Sequence, residues 1–137
     1  MFGIEDLNTV LSRSDYLVVA MPLTGDTHHM LNDSNLKYCK HGQVLINIGR
    51  GPLIDETALV SALSSGLLRG AALDVFTEEP LPETSPLWGL SNVLISPHNA
   101  DLTETSRYNS VLQFTENCRK VIAGDALNCV VDKKAGY

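Results

Sequence analysis

The chain has 137 residues, 44% hydrophobic and 19% charged, the size and balance of a packed domain rather than a disordered segment. Sixteen acidic against ten basic residues give a net charge of −6, which argues against nucleic acid or an anionic membrane surface as a partner. No run approaches the roughly 18 apolar residues of a membrane-crossing helix. The first residues lack a secretory pattern, and three cysteines without ligand spacing predict reduced thiols in a cytoplasmic setting.

Ile4, Leu7, Val10 and Leu11 recur at helical spacing, so residues 4–13 are predicted to form an amphipathic helix. The run YLVVA, Tyr16–Ala20, is continuous and apolar and is closed by Pro22, the pattern of a parallel strand buried on both faces. The stretch from Pro22 to Gly42 is polar and turn-rich, with room for one or two short helices. VLINI, Val44–Ile48, is a second buried strand. Asp55 then offers an N-cap, Ala58, Leu59, Ala62 and Leu63 share one helix face, and Gly66 supplies the residue past its end. GAALD, Gly70–Asp74, is a third strand, and residues 75–90, with three prolines, form an extended surface loop. NVLIS, Asn92–Ser96, is a fourth strand, ending at Pro97-His98. Asp101 with Glu104 suggests a capping box opening a helix over 103–123, closed by Gly124. The tail from Ala126 is short and partly extended.

Strands alternating with helices imply right-handed crossovers and a parallel sheet. Such sheets build their sites just past the carboxyl ends of the strands, and those positions hold Pro22, Arg50, Asp74 and His98. Arg50 keeps its charge and presents a planar fork suited to a carboxylate, while Gly49 and Gly51 permit a tight turn and close backbone approach. A solvated loop arginine is the plainer alternative. His98 alone reads equally as a satisfied loop histidine. A carboxylate from Glu79 at its ring would favour the imidazolium and make it a general acid. Asp74 could accept a hydrogen bond from a cofactor amide or simply cap a turn.

His28, His29 and His41 lack partners at ligand spacing and read as loop residues, so no metal site is expected. No G-x-S-x-G elbow supports acyl transfer. A carboxylate anchor beside an acid–carboxylate pair suits reduction of a 2-oxo acid. Arg50 would hold the substrate carboxylate and polarise the carbonyl, and His98 would protonate its oxygen as hydride arrives from a nicotinamide.

The stretches VVAMPLTGDTHHML, LINIGRGPLIDETALVSALSSGLLRGAALDVFTEEPLP, SPLWGLSNVLISPHNA and VVDKKAGY cover nearly the whole chain. They resemble the D-isomer-specific 2-hydroxyacid dehydrogenases, in the carboxyl-terminal part of their NAD-binding domain. The resemblance implies Arg50, Glu79 and His98 as the catalytic set. It places Asp74 where the nicotinamide carboxamide is held, with Pro22, Ile48 and the backbone around His98 lining the cofactor. NAD and NADP both remain open, because the strand that carries the ribose ligand is not in this sequence.

The same resemblance implies an α/β fold: a partial Rossmann-like parallel sheet, strands 3–6 of the family, with flanking helices. Residues 1–101 would be a partial NAD(P)-binding domain. Residues 102–137 would be a helix and tail that pack against a substrate domain absent here, leaving part of the helix's apolar face exposed. There is no G-x-G-x-x-G, so the chain is expected to be a fragment, weakly active or inactive alone. Either the first strand shifts to pair directly with the second, or a gap of roughly 14 Å is filled by another chain. The expected substrate is a small 2-oxo or 2-hydroxy acid such as glyoxylate, hydroxypyruvate or pyruvate, and the expected partner a second copy or a complementing subunit. A non-catalytic docking module on the same fold, and an incomplete gene model, are the alternatives.

Overall fold

Four short strands pair side by side in the computed structural model, which describes residues 2–136. They are β1 (Tyr16–Val19), β2 (Gln43–Asn47), β3 (Leu68–Leu73) and β4 (Val93–Ile95), all parallel and in the order β1-β2-β3-β4. Tyr16 aligns with Val44 and Val19 with Asn47, so the first strand pairs directly with the second. Of the two arrangements expected for YLVVA, direct pairing is the one observed, and no gap opens beside β2.

The connections explain which face is covered. Helix α1 (Leu7–Arg13), the one-turn α2 (Asp33–Leu36) and α3 (Glu56–Ser64) all feed one apolar cluster. Leu11, Leu36, Leu59 and Leu63 meet Leu45, Ala71 and Leu73 of the sheet there. Every step runs one strand further in the same direction, and right-handed crossovers taken that way lie on the same side of a sheet. The opposite face carries Tyr16, Val18 and Leu94, which are 61%, 56% and 75% exposed. The expectation that YLVVA is buried on both faces is therefore corrected. Its unbroken apolar run reports only local composition, whereas covering the second face needs a reversal of strand order that these four strands lack.

Local signals set the element ends. The Asp55 carboxylate accepts from the Thr57 and Ala58 N–H groups and caps α3. Gly66, at φ 77°, follows its last turn in the left-handed conformation. The loop after β3 is pinned by a 3₁₀ turn at Pro86–Gly89, whose Leu87 is 1% exposed in the core. Cys39, Cys118 and Cys129 are free thiols, and burial pushes that of Cys39 up to about 11. Among the described residues, no helix is long and apolar enough to cross a membrane.

The chain divides into two compact units, one ending at His98 and one beginning at Asn99. The second contains α4 (Ser106–Ala123) and the tail. Its helix starts three residues later than expected. Thr105 is the N-cap and gives no side-chain cap bond, so the Asp101–Glu104 capping box does not form. The Ser106 hydroxyl instead donates to the Thr103 carbonyl at 3.0 Å, closing a turn that competes with helix in this stretch. Gly124, at φ 74°, ends the helix as expected. The Asn117 side chain then grips the backbone of Asn128 at both its N–H and its carbonyl, at 2.9 and 3.1 Å. No residue of α4 is buried, and Val111, Phe114 and Ile122 are among its exposed apolar side chains. The tail forms no strand among the described residues.

Candidate active site

The turn that carries Arg50 is built by the last residue of β2. Asn47 is 1% exposed, so its amide must find partners inside the protein. Its Oδ1 accepts from the Gly49 N–H at 3.1 Å, and its Nδ2 donates to the Arg50 carbonyl at 3.0 Å. The Arg50 side chain is exposed, with one guanidinium N–H donating to the Gly49 carbonyl at 2.7 Å. Arginine has five N–H donors, so a single backbone bond leaves most of the fork able to take an anion.

Gly51 answers why glycine follows this arginine. A Cβ there would lie 1.9 Å from the Phe76 carbonyl carbon and 2.0 Å from its oxygen. The Arg50 loop therefore rests on the backbone that leaves β3. That backbone in turn holds Glu79, because the Phe76 N–H donates to Glu79 Oε1 at 2.9 Å. The next N–H, of Thr77, donates to Glu56 at 2.6 Å and ties the segment to α3.

The second oxygen of Glu79 meets His98 Nδ1 at 2.7 Å. Glu79 is held below the usual carboxylate range, first by the His98 hydrogen bond and then by the Phe76 N–H, with smaller help from the His98 and Arg50 charges. Glu79 thus takes a hydrogen bond from His98 and feels the Arg50 charge at one end of the sheet. His98 has φ 51°, a left-handed backbone that side chains seldom adopt. Its ring is oriented by Glu79 at Nδ1, which turns Nε2 away from the carboxylate.

The remaining sequence candidates lie along the same edge. Asp74 directly follows β3 and is 4% exposed; its N–H donates to the Asn47 carbonyl, and its Oδ1 accepts from the Ser96 hydroxyl at 2.5 Å. Ile48, just past β2, is 45% exposed. Pro22 follows β1 on an exposed loop, and its carbonyl accepts from the buried Thr27 hydroxyl at 2.8 Å. Among the described residues neither Pro22 nor Ile48 bonds the Glu79–His98 pair. His28 and His29 stack on each other at 4.0 Å, and no group of His, Cys, Asp or Glu there could hold a metal ion.

Asn47, Ser96 and the Phe76 N–H escaped the sequence reading. Asn47 alone left a signal there, an amide closing an otherwise apolar strand. Beside His98 and Glu79 opens a cavity of about 620 Å³, lined further by Phe76, Pro80, Leu81, Trp88, Ile95, Ser96 and Pro97.

A parallel sheet with its polar residues gathered past the strand carboxyl ends defines a Rossmann-like α/β domain. The family model for the NAD-binding domain of D-isomer specific 2-hydroxyacid dehydrogenases matches residues 2–100, and the chain belongs to that family. It is 43% identical over 129 residues to glyoxylate/hydroxypyruvate reductase B of Cronobacter sakazakii, covering 93% of this chain and 40% of that protein. The reductase B of Citrobacter koseri is 42% identical, over 96% of this chain and 41% of its own length. The chain thus spans about 40% of the length of the curated relatives it matches.

Solved structures agree. A D-isomer specific 2-hydroxyacid dehydrogenase from Xanthobacter autotrophicus Py2, in complex with NADPH and MES, superposes with a TM-score of 0.92 at 41% identity. The match covers 100% of this chain and 56% of that one. The NADPH-dependent glyoxylate/hydroxypyruvate reductase of Sinorhizobium meliloti, in complex with NADP and sulfate, gives 0.91 at 34% identity, over 99% of this chain and 44% of that one.

Proposed function

We propose that this chain carries the catalytic half-site of an NAD(P)-dependent oxidoreductase that interconverts a small 2-oxo acid and its 2-hydroxy acid, of the glyoxylate/hydroxypyruvate reductase kind. The observation that supports it most is the 2.7 Å bond between His98 Nδ1 and Glu79, within reach of the Arg50 charge. Arg50 binds the substrate carboxylate through its fork and draws electron density from the neighbouring carbonyl. His98 presents Nε2 to the carbonyl oxygen and delivers a proton there, with Glu79 holding the ring through Nδ1. In the oxidative direction the neutral ring takes that proton back.

The nicotinamide, when bound, supplies or accepts the hydride. The donor set fits that end of a dinucleotide: Ile48 offers exposed apolar surface for a ring, and Asp74 sets a buried carboxylate at the strand end to hold a carboxamide. Pro22 would complete the lining. The sequence contains no glycine-rich loop for the pyrophosphate, so turnover by this chain alone is expected to be weak or undetectable. We place it in the cytoplasm, with the second unit packing against a substrate domain.

The test is binding rather than turnover. In the purified chain, glyoxylate added with NADPH should shift the His98 ring resonances in NMR, and Arg50→Gln should remove that response. Unmoved His98 resonances at millimolar glyoxylate, or an identical response in Arg50→Gln, would overturn the reading.

A further inference from the structure

We propose that Cys118 and Cys129 form a reversible oxidation site, in which a hydroperoxide closes a disulfide between α4 and the tail that follows it. Its existence does not depend on the assignment of Arg50, Glu79 and His98. The chain has three cysteines, and their surroundings sort them. Cys39 is buried in the core, where its thiol is pushed up to about 11, so it stays protonated and inert. Cys118 and Cys129 are both exposed free thiols, and both belong to the second unit.

A turn and a clamp bring these two segments together. Left-handed Gly124 ends α4, and the Asp125 N–H donates to the Lys120 carbonyl at 2.9 Å, so the tail folds back along the helix it has just left. Asn117 then holds it: Oδ1 accepts from the Asn128 N–H at 2.9 Å, and Nδ2 donates to the Asn128 carbonyl at 3.1 Å. The Lys120 ammonium adds a bond to Asn128 Oδ1 at 2.8 Å. Cys118 follows one half of this clamp and Cys129 the other, each a Cα step of about 3.8 Å away. Cys129 has φ 53°, so the backbone bends at the thiol instead of running on extended. A disulfide needs Cα atoms about 4.4–6.8 Å apart, and rotation at Cys129, beyond the last clamp bond, supplies that approach. Both side chains are exposed, so no packed neighbour opposes it.

The chemistry balances with a peroxide as the oxidant. One thiol attacks a peroxide oxygen, the O–O bond breaks, and a sulfenic acid forms as water leaves. The second thiol attacks that sulfur, the S–O bond breaks, the S–S bond forms and a second water leaves. Two thiols lose two electrons and two protons, and the peroxide takes up both. Reduction by a dithiol reverses the change, as expected of a transient disulfide in a reducing compartment.

The experiment treats the reduced, folded chain with hydrogen peroxide, then unfolds it, alkylates the remaining thiols and measures the mass. The product should lack two hydrogens and take one alkyl group, at Cys39, and dithiothreitol should restore all three reactive thiols. Trypsin cuts after Arg119 and Lys120, which places the two exposed cysteines on separate peptides, so a disulfide between them appears as one joined pair. With dimedone present to trap sulfenic acid, the ratio of disulfide to adduct measures how well the clamp presents the second thiol. Asn117→Ala removes two clamp bonds and should lower that ratio about tenfold. Cys118→Ser should leave Cys129 as the dimedone adduct with no internal bond. Three alkylated thiols after peroxide, a bond to Cys39, bonds only between chains, or an unchanged ratio in Asn117→Ala would overturn the site.

Discussion

Gly51 lies against the backbone of Phe76 so closely that a β-carbon at 51 would fall 1.9 Å from the Phe76 carbonyl carbon. Two loops from neighbouring strands are thereby stacked without a side chain between them. One carries Arg50, and the other uses the Phe76 N–H to hold Glu79. The backbones that carry the cation and hold the carboxylate are thus kept adjacent by main-chain packing, which is stiffer than contact between long side chains.

Gly51→Ala should therefore destabilise the protein by about 2–3 kcal/mol, the upper range for overpacking, because the obstruction is backbone rather than a mobile side chain. Gly25→Ala is the control, since no atom lies within 4 Å of a Cβ built there. Urea denaturation should give a lower midpoint for the first and little change for the second. Equal midpoints would show that the two loops separate without cost.

Asn47→Ala removes both bonds that close the Arg50 turn and leaves the Gly49 N–H and Arg50 carbonyl without them. The Arg50 carbonyl keeps the Leu53 N–H at 3.2 Å, whereas the Gly49 N–H loses its Asn47 acceptor; an unpaired group of that kind costs about 1–3 kcal/mol, so a loss of that order is expected in denaturation. Hydrogen exchange supplies the more specific readout. The Gly49 amide should lose protection in Asn47→Ala while amides of β3 keep theirs, and unchanged protection at Gly49 would refute the role of Asn47.

The four strands and the capped helix were legible in sequence because each rests on local chemistry. Asp55 and Gly66 sit where a helix needs an acceptor and a left-handed residue. Arg50 and His98 could be singled out from their positions past strand ends, and Glu79 as a carboxylate able to reach His98 and from family resemblance, but not their mutual distances. The open sheet face at Tyr16 and Val18 was misread because burial depends on where the crossovers run, which no strand records in its own residues. Asp101 failed as a cap because Ser106 and Thr103 closed a competing turn. The Phe76 N–H is main chain, so no side-chain pattern could point to it.

The acid limb of stability should depend on Glu79. Its carboxyl is held below the ordinary value by His98 first and the Phe76 N–H second. A depressed carboxylate contributes fully above the unfolded value, near ~4.3, and its contribution fades as pH falls through the lower folded value. The side chain is 35% exposed, so the contribution should stay below about 1 kcal/mol. Comparing urea midpoints of the parent chain and Glu79→Gln from about pH 6 to about pH 3 checks this. Their difference should hold steady down to the ordinary glutamate range and close below it. A difference that widens on acidification would mean the sign is wrong.

The backbone of His98 makes a separate prediction, independent of its ring chemistry. At φ 51° it occupies the left-handed region, where asparagine is tolerated and β-branched residues are not. Both His98→Asn and His98→Val remove the imidazole, so ring chemistry does not separate them. Stability does: His98→Val should unfold at lower urea, by about 1–3 kcal/mol relative to His98→Asn. His98→Gly should be at least as tolerant of that conformation, because it has no Cβ to clash with the backbone. If valine proves as stable as asparagine, the loop has relaxed to negative φ and the left-handed turn is not needed to hold the chain. If the expected order is found, strain at 98 is retained where the ring faces Glu79, at a cost that glycine would avoid.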